Sequence, residues 1–334
     1  MPATLHDVAR LAGVSIKTVS NVVNEYPYVS QATRERVQRA IDELSYRPNP
    51  SARSLRSGRT GVISLVLPEL SLSYFAELAD TVIARAETRG LTVQVEQTGG
   101  DRDREIAMLT SPRRRLADGL IFSPLGMEQS DAHLLEVDYP LVILGERIFG
   151  SPVDHVTMRN VEAARAATDL LIQSGRTRIA AIGAHPDEVI GSAGLRLTGY
   201  REALEAADIA YDADLVIDTT LWHRSDGAEA VTRLLDAGTD FDAVFAFNDA
   251  LALGAMRVLQ QEGRRIPADV ALVGFDDIEE ARYAMPSLTT VNPGQQLIAQ
   301  HAVDLLVARI ENRGDRSAAE QLLVDYLVVR RESA

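Results

Sequence analysis

Apolar side chains recur at Leu5, Val8, Ala9 and Ala12, and again at Val19, Val22 and Val23. This is the spacing of one helical face, interrupted once. Thr4 stands three residues before Asp7, a pattern that caps a helix start, and Ser15 is a suitable N-cap for the second stretch. Gly13 lies between them, where a tight turn needs positive φ. The pattern therefore predicts two short helices joined by a glycine turn, a helix-turn-helix that lays its second helix in the DNA major groove. An ordinary helical hairpin has the same periodicity. The outward face of the second helix separates the two readings. It carries Ile16, Lys17, Thr18, Ser20 and Asn21, which are hydrogen-bonding groups and one apolar group in place of a Glu/Lys ladder.

From residue 61 the pattern changes to apolar runs alternating with amphipathic stretches. Strands are predicted at 61–68, 91–96, 119–123 and 141–145, with helices over 75–89, 104–116 and 131–137 between them. A second series has helices over 160–174, 194–207, 225–237 and 250–261, and strands at 179–183, 214–217, 243–247 and 270–275. Such alternation means parallel sheets covered on both faces. The expected fold is a small all-α helix-turn-helix head followed by an α/β body of two doubly wound parallel-sheet lobes with a cleft between them. The expected divisions are a head at 1–48 and a hinge or linker at 49–60. The first lobe takes 61–159 plus about 291–320, and the second 160–290 plus about 321–334.

Charge sharpens this division. The chain of 334 residues has a net charge of −14, which by itself disfavours nucleic acid. Residues 1–60, however, hold nine basic and five acidic side chains, so the head is basic and the body strongly acidic. Such a head neutralises phosphates while the body is repelled from the duplex. Lys17 is the only lysine, which removes Schiff-base chemistry from the body, and there is no cysteine. The six histidines show no metal-ligand spacing, and no phosphate loop occurs. Neither an enzyme nor a cofactor is expected. No apolar leader opens the chain and no stretch approaches 18 uninterrupted apolar residues, so a cytoplasmic protein without a membrane partner is expected.

The run T-L-x-D-V-A-x-x-A-G-V-S-x-x-T-V-S-x-V-x-N over residues 4–24 resembles the N-terminus of the lactose-repressor/galactose-repressor (LacI/GalR) family. The likeness continues through Val29-Ser30, Thr33-Arg34, Arg36–Leu44 and Tyr46-Arg47-Pro48-Asn49, then more loosely along the chain. It implies a homodimeric transcriptional regulator, a repressor by expectation, that binds palindromic double-stranded operator DNA. Ile16, Lys17 and Asn21 would read bases. Thr4, Thr18, Ser20, Asn24, Ser30 and Asn49 would position the head on the phosphates. Residues 47–60 read either as a passive tether or as a short helix capped by Asn49. The resemblance implies the family's hinge helix there, with Ala52 and Leu55 in the minor groove.

The resemblance also implies that the body is similar to type-I periplasmic sugar-binding proteins. It implies three crossovers between lobes, with Leu288–Val291 one of them and Gln321–Val329 closing the second lobe. Ligands in open α/β sheets bind beyond the carboxyl ends of the strands. Tyr74, Phe75, Ser123, Arg196, Trp222, Asn248 and Asp276 are therefore the candidates for a small polar effector, a sugar by expectation. Aromatic faces, one arginine and several acceptors suit a small polar ring, such as a sugar or a nucleobase. Phe75 reads equally as helix-face core and Trp222 as a packing anchor. Asp249 is expected to cap the helix that follows it, and Asp277 to be a cap or a solvated loop residue. Arg196, Trp222, Asn248 and Asp276 match effector positions in the family. Two departures stand out: Gly145-Glu146-Arg147 where members commonly carry Asp-Arg, and Arg159 where an acid usually precedes the asparagine.

Overall fold

A computed structural model of the chain describes residues 3–23, 26–46, 59–111, 116–185, 188–312 and 318–334. It divides into two compact units, residues 1–61 and 62–334. The first unit holds helices α1 (Leu5–Ala12), α2 (Ile16–Val23) and α3 (Gln31–Glu43). Thr4 and Asp7 form a reciprocal capping box on α1, and Gly13 ends the helix in the left-handed region at φ 63°. Ser15 accepts the Thr18 N–H at 3.1 Å and Ser30 caps α3. Val8, Ala9, Val19, Val22, Val37, Ala40 and Tyr46 close a core of their own.

The second unit contains two six-stranded sheets. The first has the order β11-β5-β4-β3-β1-β2, all parallel. Its strands are β1 (Val62–Leu67), β2 (Thr92–Gln97), β3 (Leu120–Phe122), β4 (Leu141–Leu144), β5 (Asp154–Met158) and β11 (Gln321–Val324). The helices α4 (Ser73–Thr88), α5 (Arg102–Thr110) and α11 (Gln295–Glu311) belong with it. The stretch expected as a helix at 131–137 is a 3₁₀ segment, Gln129–Leu135.

The second sheet has the order β12-β10-β9-β8-β6-β7. Its strands are β6 (Ile179–Ala184), β7 (Val216–Asp218), β8 (Ala243–Ala246), β9 (Ala271–Phe275), β10 (Thr289–Asn292) and β12 (Leu327–Val329), the last antiparallel to β10. Helices α6 (Asn160–Gln173), α7 (Ser192–Ala206), α8 (Arg224–Asp236) and α9 (Asp249–Gln261) cover it, and a short α10 (Glu279–Tyr283) follows β9. In both sheets the strand order reverses beside the first strand, between β1 and β3 and between β6 and β8. Ligands of open α/β sheets bind at such reversals.

The chain passes between the sheets three times, near 158–160, 292–295 and 324–327. Two expectations need correction here. Gln321–Val324 pairs with β5 and so belongs to the first sheet; only Leu327–Val329 returns to the second. The middle crossover follows 289–292, which is itself a strand of the second sheet. A strand of the first sheet was also absent from the sequence reading. β5 (DHVTM) looks polar yet is wholly buried, because Arg309 pairs with Asp154 at 2.7 Å and His155 bonds to the Gly145 carbonyl at 2.6 Å.

Candidate functional site

On α2 the residues expected to read bases lie on the open side of the head. Ile16 is exposed at 39 %, Lys17 is exposed and Asn21 half-buried. Thr18 is half-buried beside Ser15, while Thr4 and Ser30 are exposed and serve as helix caps. Ser20 corrects the reading, because it is buried and leaves the outward face. Its place at the fifth position of α2, one residue after Val19, carries it toward the core side. Asn24, Asn49, Ala52 and Leu55 lie outside the described residues.

In the second unit a cavity of about 350 Å³ opens where the carboxyl ends of the two sheets face each other. Tyr74, Phe75, Ser123, Arg196, Trp222, Asn248 and Asp276 all line it. Arg196 is its pivot. Its guanidinium, 3 % exposed, stacks 3.6 Å from the Phe275 ring centroid and 5.2 Å from that of Trp222. Its Nε donates to the Asn160 side chain at 2.8 Å, and Nη1 donates to the Phe247 carbonyl. Asp276 lies 3.9 Å from that guanidinium. The Asp276 backbone is held at φ 120°, a conformation rare outside glycine, by its N–H donating to Val291 at 2.8 Å. Burial pushes the Asp276 carboxyl up to about 7, against the pull of Arg196 and helped by the charges of Glu146 and Glu77. Burial likewise raises the Tyr74 hydroxyl far above its ordinary range.

Trp222 donates from Nε1 to the Gly183 carbonyl at 2.9 Å, so it is both anchored and presented to the cavity. Gly183 sits at φ 105°, and a Cβ there would lie 2.7 Å from Leu251 and 3.2 Å from the Trp222 nitrogen. Asn248, not Asp249, is the cap of α9, accepting the Leu251 N–H at 2.8 Å. Its amide also donates to the Trp222 carbonyl at 3.0 Å, so Asn248 holds the wall of the cavity together. Asp249 is buried one position inside the helix and accepts from Thr290 and the Ile278 N–H. Asp277 is neither a cap nor a solvated loop residue; its side chain packs against Arg331 and Asn292 and is 4 % exposed.

Several lining groups were not among the effector candidates chosen from sequence, although Glu146 stood out there as a departure from the family. Glu69, Glu146 and His185 each lie one or two residues past the end of β1, β4 and β6. The rule that picked Ser123 and Asp276, applied to every strand, finds them. Glu146 accepts from Thr157 at 2.9 Å and, across the cleft, from Ser192 at 2.6 Å. Further bonds join the lobes: Arg147 to Glu188 at 3.1 Å, His223 to Glu69 at 2.9 Å, and Ser73 to Glu280 at 2.5 Å. Among the described residues no group of three or more metal-ligating side chains comes together.

The family model for bacterial regulatory proteins of the lacI family matches residues 4–49, and a periplasmic binding protein-like domain matches residues 168–334. The HTH-type transcriptional regulator CelR of Thermobifida fusca is 38 % identical, over 99 % of this chain and 98 % of its own length. The chain belongs to the LacI family. A solved LacI-family regulator from Sanguibacter keddieii is 51 % identical, with a TM-score of 0.76 over 82 % of this chain and 98 % of that one. A solved complex of CelR with cellobiose is 35 % identical, with a TM-score of 0.73 over 99 % and 100 % of the two chains. This LacI-family member is a DNA-binding transcriptional regulator and not an enzyme. No helix of its described residues is long and apolar enough to cross a membrane.

Proposed function

We propose that this LacI-family protein is a repressor that acts as a homodimer on a palindromic operator and is controlled by a small sugar bound between its lobes. One observation carries the ligand reading. All the candidate residues chosen from the sequence line one cavity at the carboxyl ends of both sheets. Its volume of about 350 Å³ is at the lower end of the range for small-ligand sites, about 300–1,000 Å³. Aromatic faces at Trp222 and Phe75, with a guanidinium and carboxylate side by side, suit a polyhydroxylated ring. The CelR complex with cellobiose supports the same class of ligand.

Binding changes the angle between lobes, which changes how two paired heads meet the operator, a coupling of typically about 1–3 kcal/mol between sites. Lys17 donates to guanine and Asn21 pairs with adenine, while Ile16 makes apolar contacts. Thr4, Thr18 and Ser30, together with Asn24 and Asn49, fix the head on phosphates. Ala52 and Leu55 act in the minor groove at the operator centre. Residues 1–48 form the head and 49–60 the hinge.

Selection of binding sites from random DNA tests the DNA reading. The expected result is a sequence with inverted half-sites. Asn21→Ala is expected to relax preference at one position of each half-site and to cost about 1–3 kcal/mol on the preferred sequence. A selected sequence without inverted symmetry would contradict the dimeric reading, and an unchanged preference would remove Asn21 from the base readers.

A further inference from the structure

We infer that the cleft discriminates against anionic ligands and takes an uncharged, unphosphorylated sugar, with Glu146 as the residue that sets this preference. The inference rests on the reading of the cleft as the effector site. It comes from the pairing of charges around the cavity. Arg147 and His185 are both engaged by Glu188, at 3.1 and 2.9 Å. His223 is engaged by Glu69 at 2.9 Å. Arg196 faces Asp276 at 3.9 Å and also donates to Asn160, the Phe247 carbonyl and the Met158 sulfur. Among the described residues, both arginines and both histidines that line the cavity therefore already face an acidic side chain.

Glu146 is the acid left over. It is 4 % exposed, and its carboxylate oxygens accept from hydroxyls, those of Thr157 and Ser192. A phosphate or carboxylate entering here meets this carboxylate, and each arginine or histidine it could approach already faces an acid. At short range in a desolvated site that repulsion is poorly screened. A sugar hydroxyl is instead the kind of donor that Glu146 already accepts. It can take over the bond from Ser192. Asp276 offers a second acceptor of the same kind, with no hydrogen-bond donor from the described residues on its side chain. Two carboxylates that want O–H donors, on opposite lobes, describe a polyol.

Isothermal calorimetry on the full-length protein, with matched pairs of sugars, tests this. The probes are glucose, galactose and cellobiose, each beside its 6-phosphate. The expected result is that a neutral sugar binds and that its phosphate binds at least about tenfold more weakly, and that Glu146→Gln narrows this gap. A phosphate that binds as tightly as its neutral parent, with binding weakened by Asp276→Ala, overturns the charge preference and leaves the cleft reading standing. Binding that is indifferent to Asp276→Ala places the ligand elsewhere and removes both. A gap that Glu146→Gln leaves unchanged takes the preference away from Glu146. Absence of binding by every neutral sugar also counts against the inference. The comparison of parent and phosphate needs no variant, so it holds even if Glu146→Gln fails to fold.

Discussion

Asp276 carries an electrostatic strain that has a measurable signature. Its carboxyl is raised from an ordinary 3.8 to about 7, first by burial, then by Glu146 and Glu77, with Arg196 opposing. Between those values the folded protein holds a proton that the unfolded chain has released, so stability falls as pH rises through this window and the cost is complete above about 7. Asp276→Asn is therefore expected to raise the melting temperature at pH 8 and to raise it less at pH 5. Equal melting temperatures for the two proteins at both pH values would show a carboxyl free of this burden. Several cleft residues were readable from sequence because Ser123, Asn248 and Asp276 stand just past strand ends, while Arg196, Tyr74 and Phe75 lie in the helices that follow. Their division of labour was not. Nothing in Asn248-Asp249 says that the asparagine caps the helix while the aspartate is buried behind it, since both types cap well. Ser20 was misplaced for a related reason, because a serine is as common on an outward helix face as in the half-polar edge of a core, and here it is buried.

Elements with apolar runs announce themselves, and those held by polar pairs do not. β1, β6, β8 and β9 follow from their sequences. β5 escapes because Asp154, His155 and Thr157 are buried through hydrogen bonds to Arg309, Gly145 and Glu146. The return of β11 to the first sheet depends on Asp154 and His155, which bond to the backbone of Glu320 and the side chain of Gln321, distant in sequence. One element is built around a glycine for a reason the structure makes plain. Gly183 at the end of β6 leaves room for Trp222, whose indole it holds. Trp222 is the only tryptophan, so tryptophan fluorescence reports on the surroundings of this one ring. Gly183→Ala is expected to shift Trp222 emission and to destabilise the body by about 1–3 kcal/mol through overpacking and a disfavoured φ. Urea unfolding followed by tryptophan fluorescence reads both. Unaltered emission and midpoint would mean that the cavity wall yields freely at this point.

At the scale of the whole molecule, a basic helix-turn-helix head precedes an acidic body of two sheets that the chain crosses three times. The proposed DNA-reading residues belong to the first unit and the proposed effector cleft to the second, and regulation requires the two to be coupled. The central claim is that the cleft controls the head. It is tested most directly by titrating the selected operator against full-length protein by fluorescence anisotropy, with increasing amounts of the sugar identified by calorimetry, for the wild type and Asp276→Ala. Loss of one charged hydrogen bond costs about 1.5–3 kcal/mol. Asp276→Ala is thus expected to bind operator as the wild type does without sugar, and to respond to the sugar only at roughly 10- to 100-fold higher concentration. An unchanged sugar midpoint, or loss of operator binding by a folded Asp276→Ala protein, would contradict the account.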